Sequence, residues 1–139
     1  DILDARIMGA DAVLLIAAAL VDEDLKRFHD LAKELELDVL VEVHDEIELE
    51  RAISVGCDLV GVNQRDLFTF EVDHERALRM GDLIAGSVTS VAESGVRDVA
   101  DAATLAQAGF DAVLVGEILV TSEAPDLLIR AMTEVDLCL

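Results

Sequence analysis

The sequence predicts a parallel α/β fold, and three observations predict it. Five short apolar runs read as buried strands: Val13 to Ile16, Val39 to Val43, Leu59 to Val62, Val88 to Ala92 and Ala112 to Val115, with starts 26, 20, 29 and 24 residues apart. Helical patterns fill the intervals, and strict alternation of strand and helix is the mark of a parallel sheet. Gly9-Ala10-Asp11, Gly56-Cys57-Asp58 and Gly109-Phe110-Asp111 each end a helix and open a strand, at separations of 47 and 53 residues, which is a repeat of two βα units.

Each element has its own justification. Asp1 to Met8 reads as a helix leading into the first strand, with no strand before it, so the chain reads as beginning inside a fold. Leu25, Phe28, Ala32 and Leu35 recur at helical spacing behind Asp22, Glu23 and Asp24, acids that favour a helix N-terminus. Asp45 is an N-cap for a helix carrying Leu49, Ala52 and Ile53 on one face and stopping at Gly56. A weaker helix follows Asp73, another runs from Asp98 to Gly109, and Ala124 to Val135 forms the last. Five βα units fit either an open flavodoxin-like sheet or the later part of an eight-stranded barrel.

Length and charge narrow the class. A chain of 139 residues is one domain's worth, and 53% apolar residues with a mean hydropathy of +0.45 exclude intrinsic disorder. Ten basic against 30 acidic residues leave a net charge of −20, which repels nucleic-acid phosphates and anionic membranes. Only Lys26 and Lys33 are lysines, and such an acid-rich, lysine-poor surface suits solubility in concentrated salt. The longest apolar stretch, Ala12 to Val21, is half of what a membrane helix needs, so a cytoplasmic protein is expected. Cys57 and Cys138 lack CxxC spacing, which indicates neither a zinc site nor a disulfide framework. Cys57 reads as core, while His29 and His74 read as surface residues.

Polar residues interrupt three strand ends on the carboxyl side, where parallel α/β folds place their sites: Glu42, Asn63 and Glu93. Strand alternation sets Glu42 on one face with Leu40 and His44, opposite the helix-covered Val39, Val41 and Val43; Asn63 shares its face with Gly61. Ser94, Gly95 and Gly116 follow the last two strands, where small residues let backbone N–H groups approach a phosphate. Arg65 reads equally as the partner of a nearby acid or as a substrate contact.

These residues closely resemble the indole-3-glycerol-phosphate synthase family. The resemblance rests on Leu40-Val41-Glu42-Val43-His44-Asp45, Gly61-Val62-Asn63-Gln64-Arg65-Asp66-Leu67, Ala92-Glu93-Ser94-Gly95 and Val115-Gly116-Glu117, in the family's order and spacing. It implies a partial (β/α)8 TIM barrel, in which the single domain 1–139 corresponds to strands four to eight and strands one to three are absent. It further implies a carbon-carbon lyase closing an indole ring on 1-(2-carboxyphenylamino)-1-deoxyribulose 5-phosphate, with loss of carbon dioxide and water and with no metal or organic cofactor. Glu42 would transfer protons during dehydration, Asn63 and Glu93 would orient and support the reacting centre, Ser94, Gly95 and Gly116 would hold the phosphate, and Leu14 and Leu67 would face the anthranilate ring. The phosphate is expected to rest on backbone amides, since so acidic a chain has few cations to spare.

The family's catalytic lysines and a further glutamate lie on its earlier strands and have no counterpart here. Lys26 and Lys33 fall inside an amphipathic helix, so the chain alone is expected to be catalytically incomplete. Glu117 to Glu123 also departs from the family's usual methionine-arginine ending. Two other readings stay open: another phosphate-binding barrel, such as a phosphoribosylanthranilate isomerase relative, or a non-catalytic module that self-associates or pairs its sheet edges with a complementing fragment.

Overall fold

The computed structural model describes residues 2–84 and 86–135. Asp1 and Cys138 lie outside the described residues. The order is α1 (Ile2–Ile7), β1 (Ala12–Ile16), a 3-10 turn (Ala17–Ala19), α2 (Asp22–Glu34), β2 (Asp38–Val43), α3 (Glu46–Ser54), β3 (Leu59–Asn63), α4 (His74–Gly81), β4 (Thr89–Glu93), α5 (Val99–Gln107), β5 (Ala112–Leu114), α6 (Glu117–Thr121) and α7 (Pro125–Thr133). All five strands are parallel and lie in sequence order, β1-β2-β3-β4-β5. Every expected strand and helix is present, and α6 is an additional short one.

The two faces of the sheet differ as the alternation predicts. Val39, Val41, Val43, Val60, Val62 and Ala92 are fully buried on the face covered by the helices, with α2 and α3 on β2, α4 on β3 and α5 on β5. Each such valine contributes roughly 1.5–3 kcal/mol of burial, so this layer holds the domain together. The opposite face carries Leu14, Leu40, Glu42, Gly61, Asn63, Val91, Glu93 and Leu114, which the pairing register sets side by side. Its middle is buried, but Leu14 on β1 and Leu114 on β5 are 48% and 56% exposed. Both belong to edge strands with a single partner among the described residues.

Local sequence sets the helix entries at the carboxyl end of the sheet. Asp45, Asp73 and Asp98 each accept a backbone N–H of the following helix, from Glu48, Glu75 and Asp101 respectively. Arg51 of α3 reaches back to the segment after β1, bonding Asp22 at 2.6 Å, the Ala17 carbonyl at 3.0 Å and the Leu20 carbonyl. It thereby fixes the first strand-to-helix connection against the second.

Two histidines depart from expectation. His29, expected on the surface, is only 5% exposed in α2, because it shares the buried stripe of Leu25 and Ala32. His74, also expected on the surface, is half-buried at the start of α4 and lines a cavity described below. Cys57 is core as expected, and burial pushes its thiol up to about 11.

Candidate active site

Glu42 stands at the end of β2 with 5% of its surface exposed. The turn after it explains its setting. Asp45 accepts the Glu48 N–H at 2.8 Å, and the Glu48 carboxylate returns to accept the His44 N–H at 2.8 Å, the reciprocal pattern of a capping box displaced by one residue. The same Glu48 oxygen lies 3.2 Å from His44 Nδ1, which leaves His44 Nε2 at 3.3 Å from Glu42 Oε1. That last contact is an approach without a hydrogen bond, and Nε2 has no hydrogen-bond partner among the described residues. A helix cap thus orients the imidazole beside the strand-end carboxylate.

Asn63 and Glu93 complete the cluster from β3 and β4, where they are register partners. Asn63 Nδ2 donates to Glu42 Oε1 at 3.1 Å, while its own Oδ1 accepts the Arg65 N–H at 2.9 Å, so the amide orientation is determined at both ends. The Asn63 carbonyl accepts a bond from Arg76 at 3.0 Å. Glu93 is 4% exposed, and its Oε1 has no hydrogen-bond partner among the described residues. Burial, and then the adjacent negative charge of Glu42, push the Glu93 carboxyl up to about 7. A carboxyl poised there can give or take a proton at neutral pH, the requirement for acid–base work.

Beside this cluster lies a cavity of about 640 Å³ whose walls include Ser94, Gly95, Gly116, Arg65, Arg97 and His74. Ser94 and Gly95 are successive residues with φ of 64° and 72°, a turn held by the Gln64 side chain, which donates to the Ser94 carbonyl at 2.9 Å. Gly116 caps α6 with open space where a side chain would stand. The expectation that cations are scarce here needs correction, because two arginines flank the cavity. Arg65 pairs with Glu117 at 3.0 Å, the acid-pairing reading of that residue, and Arg97 pairs with Asp101 at 2.8 Å, holding that carboxyl down at about 2.

The structure therefore gathers Glu42, Asn63 and Glu93 into one buried cluster, with Ser94, Gly95 and Gly116 around an adjoining cavity. Leu14 and Leu67 are not gathered with each other. Leu14 lines a separate apolar cavity of about 710 Å³ with Ile16, Leu20 and Phe28, whereas Leu67 is 38% exposed in the loop before α4 and outside both cavities. Two residues were not singled out from sequence. Gln64 is 2% exposed and ties β3 to the turn after β4, and nothing in local sequence points to that partner. Glu48 orients His44, and the Asp45-x-x-Glu48 spacing is a signal that could have found it.

Parallel strands alternating with helices, with acid and amide side chains at the carboxyl strand ends and a small-residue cavity beyond the last two, define part of a (β/α)-barrel architecture, and the cluster lies at the end where such folds place their sites. Solved structures agree on the fold. The 3-hexulose-6-phosphate synthase from Salmonella typhimurium superposes with a TM-score of 0.78 at 17% identity, over 96% of this chain and 66% of the other. Thiamine phosphate pyrophosphorylase from Pyrococcus furiosus gives 0.76 at 17% identity, over 97% and 63%.

Sequence comparison identifies the family. The family model described as indole-3-glycerol phosphate synthase matches residues 1–132, and the chain belongs to that family. An indole-3-glycerol phosphate synthase of a Nocardioides species is 48% identical over 136 residues, covering 98% of this chain and 52% of the relative. That of Koribacter versatilis is 47% identical over 132 residues, covering 95% and 51%. The chain thus spans about half the length of these curated relatives. Among the described residues no helix is long and apolar enough to cross a membrane.

Proposed function

We propose that these residues form the phosphate-end half of an indole-3-glycerol-phosphate synthase site. The five strands take the places of strands four to eight in the closed barrel. The reaction closes the indole ring on 1-(2-carboxyphenylamino)-1-deoxyribulose 5-phosphate, releasing carbon dioxide and water. The observation that carries this reading is the buried Glu42–Asn63 hydrogen bond of 3.1 Å beside a Glu93 carboxyl raised to about 7. Glu42, fixed by the Asn63 amide, moves a proton during dehydration; Asn63 and Glu93 orient and electrostatically support the reacting centre. Ser94, Gly95 and Gly116 receive the phosphate, with Arg65 and Arg97 adding positive charge at the cavity wall. Leu14 and Leu67 face the anthranilate ring in the completed barrel.

The chain alone lacks one part of this machinery. Its two lysines lie on α2, Lys26 bonded to Asp30 and Lys33 to Asp58, and neither stands at a carboxyl strand end. The half-exposed Leu14 and Leu114 at the two edge strands support association with a complementing barrel half that covers them. Purified chain should show no ring-closing turnover by itself. Fusing to it the remaining part of the Nocardioides relative should restore turnover. Robust activity of the chain alone, or none in the folded fusion, overturns this assignment.

A further inference from the structure

We propose that Gly61 is a positioning residue of this site: by leaving the middle of β3 without a side chain, it opens the seat in which the Glu93 carboxyl lies beside Glu42. The catalytic meaning of that seat rests on the function proposed above; the seat itself rests on geometry.

A glycine inside a strand weakens it and commonly marks a close approach by another group. Gly61 is not among the glycines with positive φ, so no backbone conformation requires it. Space does. A Cβ built there would stand 1.7 Å from Glu93 Oε1 and 2.7 Å from Glu93 Cδ, with the next neighbour, a Leu40 methyl, at 3.2 Å. No backbone atom is among these nearest neighbours; the tip of one flexible side chain excludes a methyl group from the strand.

The register explains why that tip belongs there. Glu93 is aligned with Asn63, whose amide already occupies the place next to Glu42 Oε1. Gly61, two residues earlier on the same face of β3, is the register partner of Glu42 itself. The Glu93 carboxyl therefore leans back from its own position and crosses β3 over Gly61. Around it, β2 presents the charged Glu42 with His44 behind it, β3 presents the neutral Asn63, and β5 presents Leu114 as register partner. No cation is hydrogen-bonded to Glu93 among the described residues, and its Oε1 is left without a donor. Two carboxyls brought together in this way hold a proton that a separated, solvated pair would release at neutral pH.

A double-mutant cycle on the chain itself tests the seat by urea unfolding, with Gly61→Ala made in the native background and in Glu93→Ala. With Glu93 present, Gly61→Ala should forfeit the benefit of alanine in a strand; with Glu93 truncated, the same change should raise the unfolding midpoint. An identical effect in both backgrounds overturns the proposal, because some other neighbour would then be excluding the methyl group. Carbon-13 NMR titration of Glu93, assigned by loss of its signal in Glu93→Gln, gives the second readout. Gly61→Ala should lower the Glu93 midpoint by about one pH unit or more from its value near 7; an unmoved midpoint also overturns the proposal. In the complete barrel Gly61→Ala should lower kcat by about a hundredfold with KM little changed. If the cycle and the titration behave as expected while kcat is unaffected, the seat stands and the catalytic reading of Glu93 fails.

Discussion

The two ends of the sheet are built on different terms. At the amino ends, Gly9, Gly56 and Gly109 take φ of 87°, 82° and 92° to stop three helices, and a strand begins three residues after each. The Asp111 carboxylate accepts both the Ser90 N–H at 2.8 Å and the Ser90 hydroxyl at 2.9 Å, so polar groups there are spent on one another. At the carboxyl ends, among the described residues, Glu93 Oε1 is buried without a donor, His44 Nε2 lies 3.3 Å from Glu42 Oε1 without a hydrogen bond, and Ser94 holds a left-handed conformation costly for a residue with a Cβ. Buried groups left unsatisfied are costly, and their occurrence at the carboxyl end supports the site proposed there. His29, buried in α2 with neither ring nitrogen hydrogen-bonded among the described residues, is the exception to this division.

If the carboxyl end is the chemical one, mutating it should cost turnover rather than stability. In the complete barrel, Glu42→Gln should lower turnover by about two to four orders of magnitude, the usual scale of general acid–base catalysis, with little change in KM. Thermal unfolding of the same variant should stay close to wild type. A large fall in stability with turnover retained would make Glu42 a structural strand terminus.

The next effect is a pH dependence with a definite sign. The Glu93 carboxyl is raised to about 7 from an ordinary 4.5, so between these values the folded chain binds more protons than the unfolded one. Its contribution is fully present below about 4.5 and is lost as pH rises through 7, a swing on the order of 3 kcal/mol. Urea unfolding should accordingly show the native chain less stable at pH 8 than at pH 5 from this group, with Glu93→Gln removing most of that slope. An undiminished slope in the variant would assign it to other groups.

A matching change at the amino end should do the opposite. Asp111→Ala strands the Ser90 N–H and hydroxyl and should cost about 1–3 kcal/mol in unfolding free energy. The Glu93 titration midpoint, measured by NMR, should not move. If it shifts, the two ends are coupled through β4 and the division between them fails.

Much of this division was legible in the sequence. Burial in a parallel sheet leaves continuous apolar runs, so all five strands were placed to within about two residues, and aspartates before helices marked the true caps Asp45, Asp73 and Asp98. The five-residue α6 was missed because it is too short to show a helical period. His29 was misplaced by its residue type, although its spacing from Leu25 and Ala32 puts it on the buried stripe. Pairings across the fold were not legible: Arg65 meets Glu117 across 52 residues and Glu42 meets Asn63 across 21, separations that no local pattern encodes. The residues of the cluster were readable one by one from their strand ends, but not the leaning of Glu93 over Gly61.

The smallest expected effect concerns the two cavity glycines, and the structure decides which of them is informative. Gly95→Val suggests itself as a way to block a phosphate at the turn after β4. Gly95 has φ of 72°, and a Cβ there would lie 2.6 Å from Val72 Cγ1, so valine would strain the backbone and displace the loop before α4 whatever it did to a ligand. Gly116 has φ of −126° and nothing within 4 Å of a Cβ, so Gly116→Ala should change unfolding free energy by no more than about 0.5 kcal/mol. A methyl group projecting into the path of an incoming phosphate should still weaken binding, by on the order of tenfold for a loss of about 1.4 kcal/mol. Calorimetric titration of the complete barrel with the phosphorylated substrate and with anthranilate separates the outcomes. Weakening confined to the phosphorylated ligand places the phosphate at Gly116; equal weakening of both means a general distortion; and unchanged affinity for the phosphorylated ligand moves the phosphate away from this turn.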